Sequence, residues 1–162
     1  MTKAIARPSI LDDVPTLCAM QARIIRIGGT TAHEVPYSNA RFAEHYLTGP
    51  NVISCHTAVL DGRPIGFQVM GAYSALPEGW ADLGTFVDPE VQRAGAGHVL
   101  FEATLAVARA AGIKVLNATI RADNTAGLGY YSGLGFTDYK SEPNYALTTG
   151  QVVGRVHKRL DL

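Results

Sequence analysis

Cysteine is scarce in this chain: Cys18 and Cys55 are the only two, and they stand in no C-x-x-C pair and no four-ligand Cys/His cluster. That excludes a zinc-ribbon or disulfide-framework reading and fits two buried thiols in a reducing compartment. The histidines His33, His45 and His56 are too scattered to suggest a metal; His56 reads as a strand residue and the other two as surface. A surplus of either charge is also lacking, with 14 Lys+Arg against 14 Asp+Glu. A neutral chain has no net pull on nucleic acid or an anionic membrane, and the one basic run, "RVHKRL" at 155–160, reads as a solvated strand face. No apolar run approaches the ~20 residues that span a bilayer. The start, "MTKAIARPSILDDVP", lacks the unbroken apolar core of a signal peptide. The expectation is a cytoplasmic protein with no metal, no nucleic-acid partner and no membrane partner.

What is present is an α/β order. The chain has 162 residues, 47% hydrophobic and 17% charged, so residues 1–162 are expected to fold as one domain with its own core. "KAIARPSI" reads as a strand, and "LDDVPTLCAMQARIIRI" as a helix with an Asp cap and Pro15 in its first turn, stopped at Gly28-Gly29. "NARFAEHYLTG" reads as a short helix. "NVISCHTAVL" and "RPIGFQVMGAY" read as a hairpin about Asp61-Gly62, and "WADLGTFV" as a fourth strand. A helix over about 97–111 follows, ended by Gly112, with Val99, Ala103, Ala106, Val107 and Ala110 on its apolar face. "KVLNATI" is a buried-looking strand, "NTAGLGYYSGLGF" a short helix, and "TDYKSE" and "QVVGRVHKRL" two closing strands around a "TTG" turn. The early strands, joined by short connections, imply an antiparallel half; the later β-α-β implies a parallel pair.

The stretch "VQRAGAGHVL" carries the first chemical signal. Gln92, Gly95 and Gly97 form Q-x-x-G-x-G just before a helix. A dinucleotide fingerprint needs a third glycine where Leu100 stands, and a P-loop needs a Gly-Lys-Ser/Thr that is absent. Two readings stay level on this pattern: an ordinary strand-to-helix turn, or a cradle whose successive amides and helix dipole hold an anion.

A second motif lies downstream. "NTAGLGYYSGLGF", Asn124 to Phe136, resembles the N-x-x-A/G-x-x-x-Y-x-x-x-G-F signature of the GNAT superfamily of acyl-CoA-dependent N-acyltransferases. "FVDPEVQRAGAGHVLFEA" is similar to that superfamily's V-x-P-x-x-Q/R-x-x-G-x-G/A motif, and one helix and one strand separate the two, as in the family. The stretch "TTAHEVPYSNARF" resembles the substrate loop of the phosphinothricin acetyltransferase-like branch.

The resemblance implies a mixed, mostly antiparallel sheet of about seven strands flanked by four helices, with a splayed parallel pair at the cofactor cleft. It implies acetyl-CoA as cosubstrate and a small-molecule amine as acceptor, with direct attack in a ternary complex, and it admits a homodimer. Backbone amides of Gln92, Arg93, Ala94, Gly95, Ala96 and Gly97 would meet the CoA pyrophosphate, with Arg93 and His98 at its rim. The strand at Phe86 and Val87 would pair with the pantetheine arm, Asn124 would bond that arm, and Tyr131 would protonate the departing thiolate. For His98 an ion pair with Glu102 is the competing reading, and for Tyr131 a place in the core. Some relatives carry a base Glu on the fourth strand; here Asp82, acting through water, and Glu34, in the "AHEVP" loop, are the candidates. Glu34 reads equally as a loop-capping residue. Trp80, Tyr37 and Tyr73 are candidates to line the acceptor pocket. A non-catalytic acyl-CoA sensor of the same fold is the alternative function.

Overall fold

The computed structural model describes residues 2–91 and 94–162. Among these residues seven strands form one sheet: β1 Ile5–Pro8, β2 Val52–Leu60, β3 Arg63–Gly71, β4 Trp80–Val87, β5 Val115–Arg121, β6 Thr137–Glu142 and β7 Arg155–Asp161. Their spatial order is β1-β2-β3-β4-β5-β7-β6. Every neighbouring pair is antiparallel except β4 and β5, which run parallel. The helices are α1 Val14–Ile27, α2 Asn39–Ala43, α3 Ala96–Ala110 and α4 Thr125–Gly133, with a 3-10 turn before α1 and a π-helical turn, Glu44–Thr48, after α2. The element order read from the sequence, the antiparallel half and the parallel pair are all present.

Turn chemistry places the hairpins. Asp61 and Gly62 both have positive φ, 49° and 79°, the geometry whose twist suits a two-residue hairpin. The "TTG" turn is closed by a bridge between Ala146 and Val152, and the last strand begins at Arg155 rather than at Gln151.

Two apolar layers flank the sheet. On one face Leu17, Met20 and Ile24 of α1 meet Phe42, Tyr46 and the buried Phe67 of β3. On the other, α3 and α4 pack Phe101, Ala108 and Tyr131 against Leu83, Leu116, Ala118 and Phe136. The buried stripe of α3 is Leu100, Phe101, Thr104 and Ala108. This corrects the expected apolar face, since Ala106 and Ala110 are exposed. In an alanine-rich helix small side chains satisfy either face, and the larger Leu100 and Phe101 decide which one is buried.

An Asp cap is expected on the first helix; Asp13 precedes α1, but its side chain makes no cap bond to that helix and knits β1 to β2. Its carboxylate accepts from Arg7 at 2.7 and 2.8 Å, from the Ile10 amide at 3.0 Å and from Thr57 at 3.0 Å. Burial pushes its pKa up, but these bonds outweigh burial and hold it below the usual carboxylate value. Cys18 is buried, Cys55 is half-buried rather than fully enclosed, and both are free thiols.

Candidate active site

The parallel pair is incomplete. β4 and β5 are in register from Trp80 with Val115 to Leu83 with Ala118, and pairing ends there although β4 continues to Val87 and β5 to Arg121. Separate anchors pull the two ends apart. Beyond β4, the buried Asp88 carboxylate accepts from Arg23 at 3.0 Å and Arg63 at 2.9 Å, and its amide donates to Ile65 of β3 at 2.8 Å. At the end of β5, Arg121 pairs with Asp123 at 2.7 Å and donates to the Thr31 carbonyl at 3.0 Å. The Asp88 amide points to β3, so strand alternation turns the amides of Val87 and Thr85 into the opening. A cleft of about 1040 Å³ occupies it, lined by Asp82–Val87, Gly97, Thr119–Arg121, Asn124 and the Tyr130–Tyr131 pair among others.

One end of the cleft meets the start of α3. Gln92 and Arg93 lie outside the described residues. Gly95 caps the helix at φ 76°, and the first intrahelical bond runs from the Val99 amide to the Gly95 carbonyl at 3.1 Å. Among the described residues the amides of 95–98 have no backbone partner, as expected at a helix N-terminus, where the macrodipole favours an anion. Ala94 is half-buried and its carbonyl accepts from the Ala4 amide, while Ala96 is buried. A Cβ at Gly97 would lie 2.7 Å from the Tyr130 ring, so glycine here makes room for a tyrosine. His98 is exposed and its Nε2 lies 3.2 Å from Glu102, so the ion-pair geometry is the one present.

Phe86 stacks on Phe67 at 5.0 Å, and Val87 packs toward the cluster of Ala96 and Leu100. These contacts turn both side chains to the core faces of the sheet and leave the backbone of β4 to face the cleft. Asn124 caps α4: its Oδ1 accepts from the Gly127 amide at 2.9 Å and its Nδ2 donates to the Thr30 carbonyl at 3.0 Å. A Cβ at Gly127 would strike that amide at 2.5 Å, which explains a glycine in the first turn.

The two tyrosines have different partners. Tyr130 donates to the Gly97 carbonyl at 2.7 Å and accepts from Gln68 Nε2 at 3.2 Å. Tyr131 is buried, with its hydroxyl 2.7 Å from Thr85 Oγ1, which accepts from Gln68 at 2.9 Å. Thr85 can therefore donate to Tyr131 and leave the Tyr131 proton for the cleft. Burial pushes the Tyr130 phenol up to about 12 and the Tyr131 phenol higher still, so both are neutral donors at working pH.

On the opposite side of β4, Asp82 lines the cleft and its Oδ1 accepts from Asn117 Nδ2 at 2.7 Å. Burial raises its pKa, against the Asn117 bond and the nearby His157. Glu34 accepts from the Thr149 amide at 3.1 Å, tying its loop to the "TTG" turn. Tyr73 lines the cleft; Trp80 instead packs on Tyr139 and Arg159, and Tyr37 on Tyr46. His33, expected at the surface, is half-buried at the cleft wall, with Nδ1 3.4 Å from Tyr37 Oη and Nε2 3.3 Å from Tyr46 Oη. Burial, then the neighbouring His45, lowers its pKa. Asn117 and Thr119 also stand at this face of the sheet, outside both sequence motifs. The alternation of Asn117, Thr119 and Arg121 with Leu116, Ala118 and Ile120 was their signal: a strand with one polar face.

Among the described residues no group of three or more His, Cys, Asp or Glu side chains is placed to hold a metal, and no helix is long and apolar enough to cross a membrane. No curated protein matches the chain in sequence. Solved structures do match in fold. An N-acetyltransferase from Staphylococcus aureus Mu50 superposes with TM-score 0.86 at 18% identity, over 99% of each chain. A ribosomal-protein-alanine N-acetyltransferase from Brucella melitensis gives 0.86 at 18% identity, over 98% of this chain and 99% of that one. A GNAT superfamily phosphinothricin acetyltransferase from Sinorhizobium meliloti, in complex with AcCoA, gives 0.86 at 20% identity, over 100% of this chain and 89% of that one. The sequence model of the Acetyltransferase (GNAT) family matches residues 25–136, the span that holds the opened strand pair, the start of α3 and both tyrosines. The chain belongs to the GNAT acetyltransferase family.

Proposed function

We propose that the protein moves an acetyl group from acetyl-CoA to the primary amine of a small, amino-acid-like molecule, by direct attack in a ternary complex. One observation carries the reading: β4 and β5 part after Leu83 and Ala118, and the opening runs to the N-terminus of α3. Unpaired strand amides and a helix N-terminus are suited to different parts of one ligand, an amide-bearing arm and an anionic pyrophosphate. The residues present fit acetyl-CoA on that ground.

Acetyl-CoA supplies the thioester. The amides of residues 94–98 hold the pyrophosphate, and His98 adds a rim donor when it leaves Glu102; Gln92 and Arg93, which the resemblance adds to that set, lie outside the described residues. Phe86 and Val87 present backbone to the pantetheine arm, and an inward strand amide stabilises the oxyanion. Asn124 reaches the arm by exchanging its bond to Thr30. Tyr131 donates its proton to the departing sulfur. Reference values of ~10 for a phenol and ~8.5 for a thiol make that transfer uphill, so the hydrogen bond to the developing thiolate is its main contribution. Asp82 draws the acceptor's ammonium into the cleft, and Glu34 holds the acceptor-side loop closed. The place of action is the cytoplasm.

Thiol release from acetyl-CoA, measured with a panel of L-amino acids, phosphinothricin and short diamines, tests the reading. Turnover that collapses in Tyr131→Phe supports it. Tight acetyl-CoA binding without turnover on any amine would make the chain a sensor instead.

A further inference from the structure

Asp82 sits at one end of a hydrogen-bonded chain that crosses four strands. Asn117 Nδ2 donates to Asp82 Oδ1 at 2.7 Å and to Thr119 Oγ1 at 3.2 Å. Thr119 Oγ1 lies 2.9 Å from His157 Nδ1, and His157 Nε2 lies 2.9 Å from Glu142 Oε2. The residues stand on β4, β5, β7 and β6, in the spatial order of the sheet.

The proton positions follow from the partners. Tyr139 donates to Asn117 Oδ1, so the Asn117 amide hydrogens face Asp82 and Thr119. Hydrogen bonds from Arg155 and then His157 hold the Glu142 carboxyl down at about 2, so it is ionised and can only accept. A neutral His157 therefore carries its hydrogen on Nε2 and offers a bare Nδ1. Thr119 accepts from Asn117, so its own hydrogen goes to His157. Apart from the Asn117 branch to Asp82, the donors run from Tyr139 toward Glu142. One lone pair of Thr119 is left over, and Thr119 is exposed in the wall of the cleft, just past the last β4–β5 pair.

We propose that Thr119 and His157 form the route by which the acceptor amine loses its proton. The ammonium donates to the free lone pair of Thr119 as the Thr119 proton passes to His157 Nδ1. The imidazolium is held by Glu142 and returns its proton to solvent, where the His157 and Glu142 side chains are 12% and 29% exposed. The neutral amine then forms the C–N bond, the C–S bond breaks, and a second nitrogen proton ends on the thiol by way of Tyr131. Of the three ammonium hydrogens, one goes to solvent, one to the thiol, and one stays on the amide. Thr119 is the catalytic residue of this step; His157 and Glu142 are positioning residues acting through it. The proposal rests on the acetyl-transfer reading above.

The test is kcat and KM from mildly acid to mildly alkaline pH, with acetyl-CoA and the best acceptor of the panel named above. The groups facing His157 are Asp82 of β4, Tyr139 and Glu142 of β6, and Arg155 and Lys140 through Glu142. Thr119→Val and His157→Gln should each lower kcat about 100-fold, leave KM for acetyl-CoA unchanged, and abolish the acid limb of kcat. Thr119→Ser should restore both rate and limb, and Asp82→Asn should raise the amine KM with the limb kept. Calorimetric acetyl-CoA binding by each variant shows that it is folded. Wild-type rate and limb in His157→Gln would overturn the relay, as would a limb lost in Asp82→Asn alone. Wild type that binds acetyl-CoA yet acetylates no amine would overturn the transfer reading itself, and the relay with it.

Discussion

The hydroxyl of Tyr130 donates to the carbonyl of Gly97 at 2.7 Å, and its ring fills the space where a Cβ would stand. This contact joins the two sequence motifs directly: the glycine turn that opens α3 and the tyrosine pair of α4. It fixes the start of α3 relative to the wall of the cleft.

Gly97→Ala should therefore cost about 1–3 kcal/mol in denaturant unfolding, the usual range for overpacking. Tyr130→Phe should cost about 1 kcal/mol through the lost bond. Tyr130→Leu, with no ring edge, should relieve most of the Gly97→Ala penalty. The double-mutant cycle checks this, and additive effects would deny the contact its role.

Tyr131→Phe keeps the buried ring and removes only the hydroxyl at Thr85. It should lower kcat about 100-fold and change acetyl-CoA affinity by less than threefold. Rapid-mix thiol release, read beside calorimetry, separates the two. Wild-type turnover in the variant would mean that Tyr131 serves packing alone.

Asp82 should act on stability and on function with opposite signs. Burial raises its pKa, so the folded state binds its proton more tightly than the unfolded chain does. Stability from this group is then complete below the unfolded value and declines as pH rises through the folded one. Asp82→Asn should melt higher than wild type at neutral pH, with the gain vanishing in acid, while the amine KM rises. Melting curves across pH check the sign.

Asp88 anchors the end of β4 away from β5. Asp88→Asn should cost about 1.5–3 kcal/mol, the range for hydrogen bonds to charged groups. It should also weaken acetyl-CoA binding several-fold, because a released β4 end can close toward β5. Calorimetry of a folded Asp88→Asn variant tests this. Unchanged affinity would show that the opening does not depend on the Arg23 and Arg63 clamp.

Local signals carried much of the fold. The Asp61-Gly62 turn, the Gly112 stop and the alternation of β4 place their elements where the structure has them, since each depends on residues within a few positions. The two motifs likewise located the cleft. What the sequence hid was long-range. The partner of Gly97 lies 33 residues away, and His157 lies 38 residues from Thr119. The face of α3 was hidden for another reason, since its many alanines give little contrast between sides. The place of His33 depends on rings from α1's flanking loop, the π-helical turn after α2 and β4 meeting in space, which no local pattern reports.

The central claim is that acetyl-CoA enters between the parted ends of β4 and β5 with its pyrophosphate at the start of α3. Amide hydrogen exchange, read residue by residue with and without acetyl-CoA, tests it most directly. The account predicts slowed exchange at Thr85, Val87 and residues 94–98 when the cosubstrate binds. Binding that leaves those amides unprotected, or protects a different face of the sheet, would contradict it.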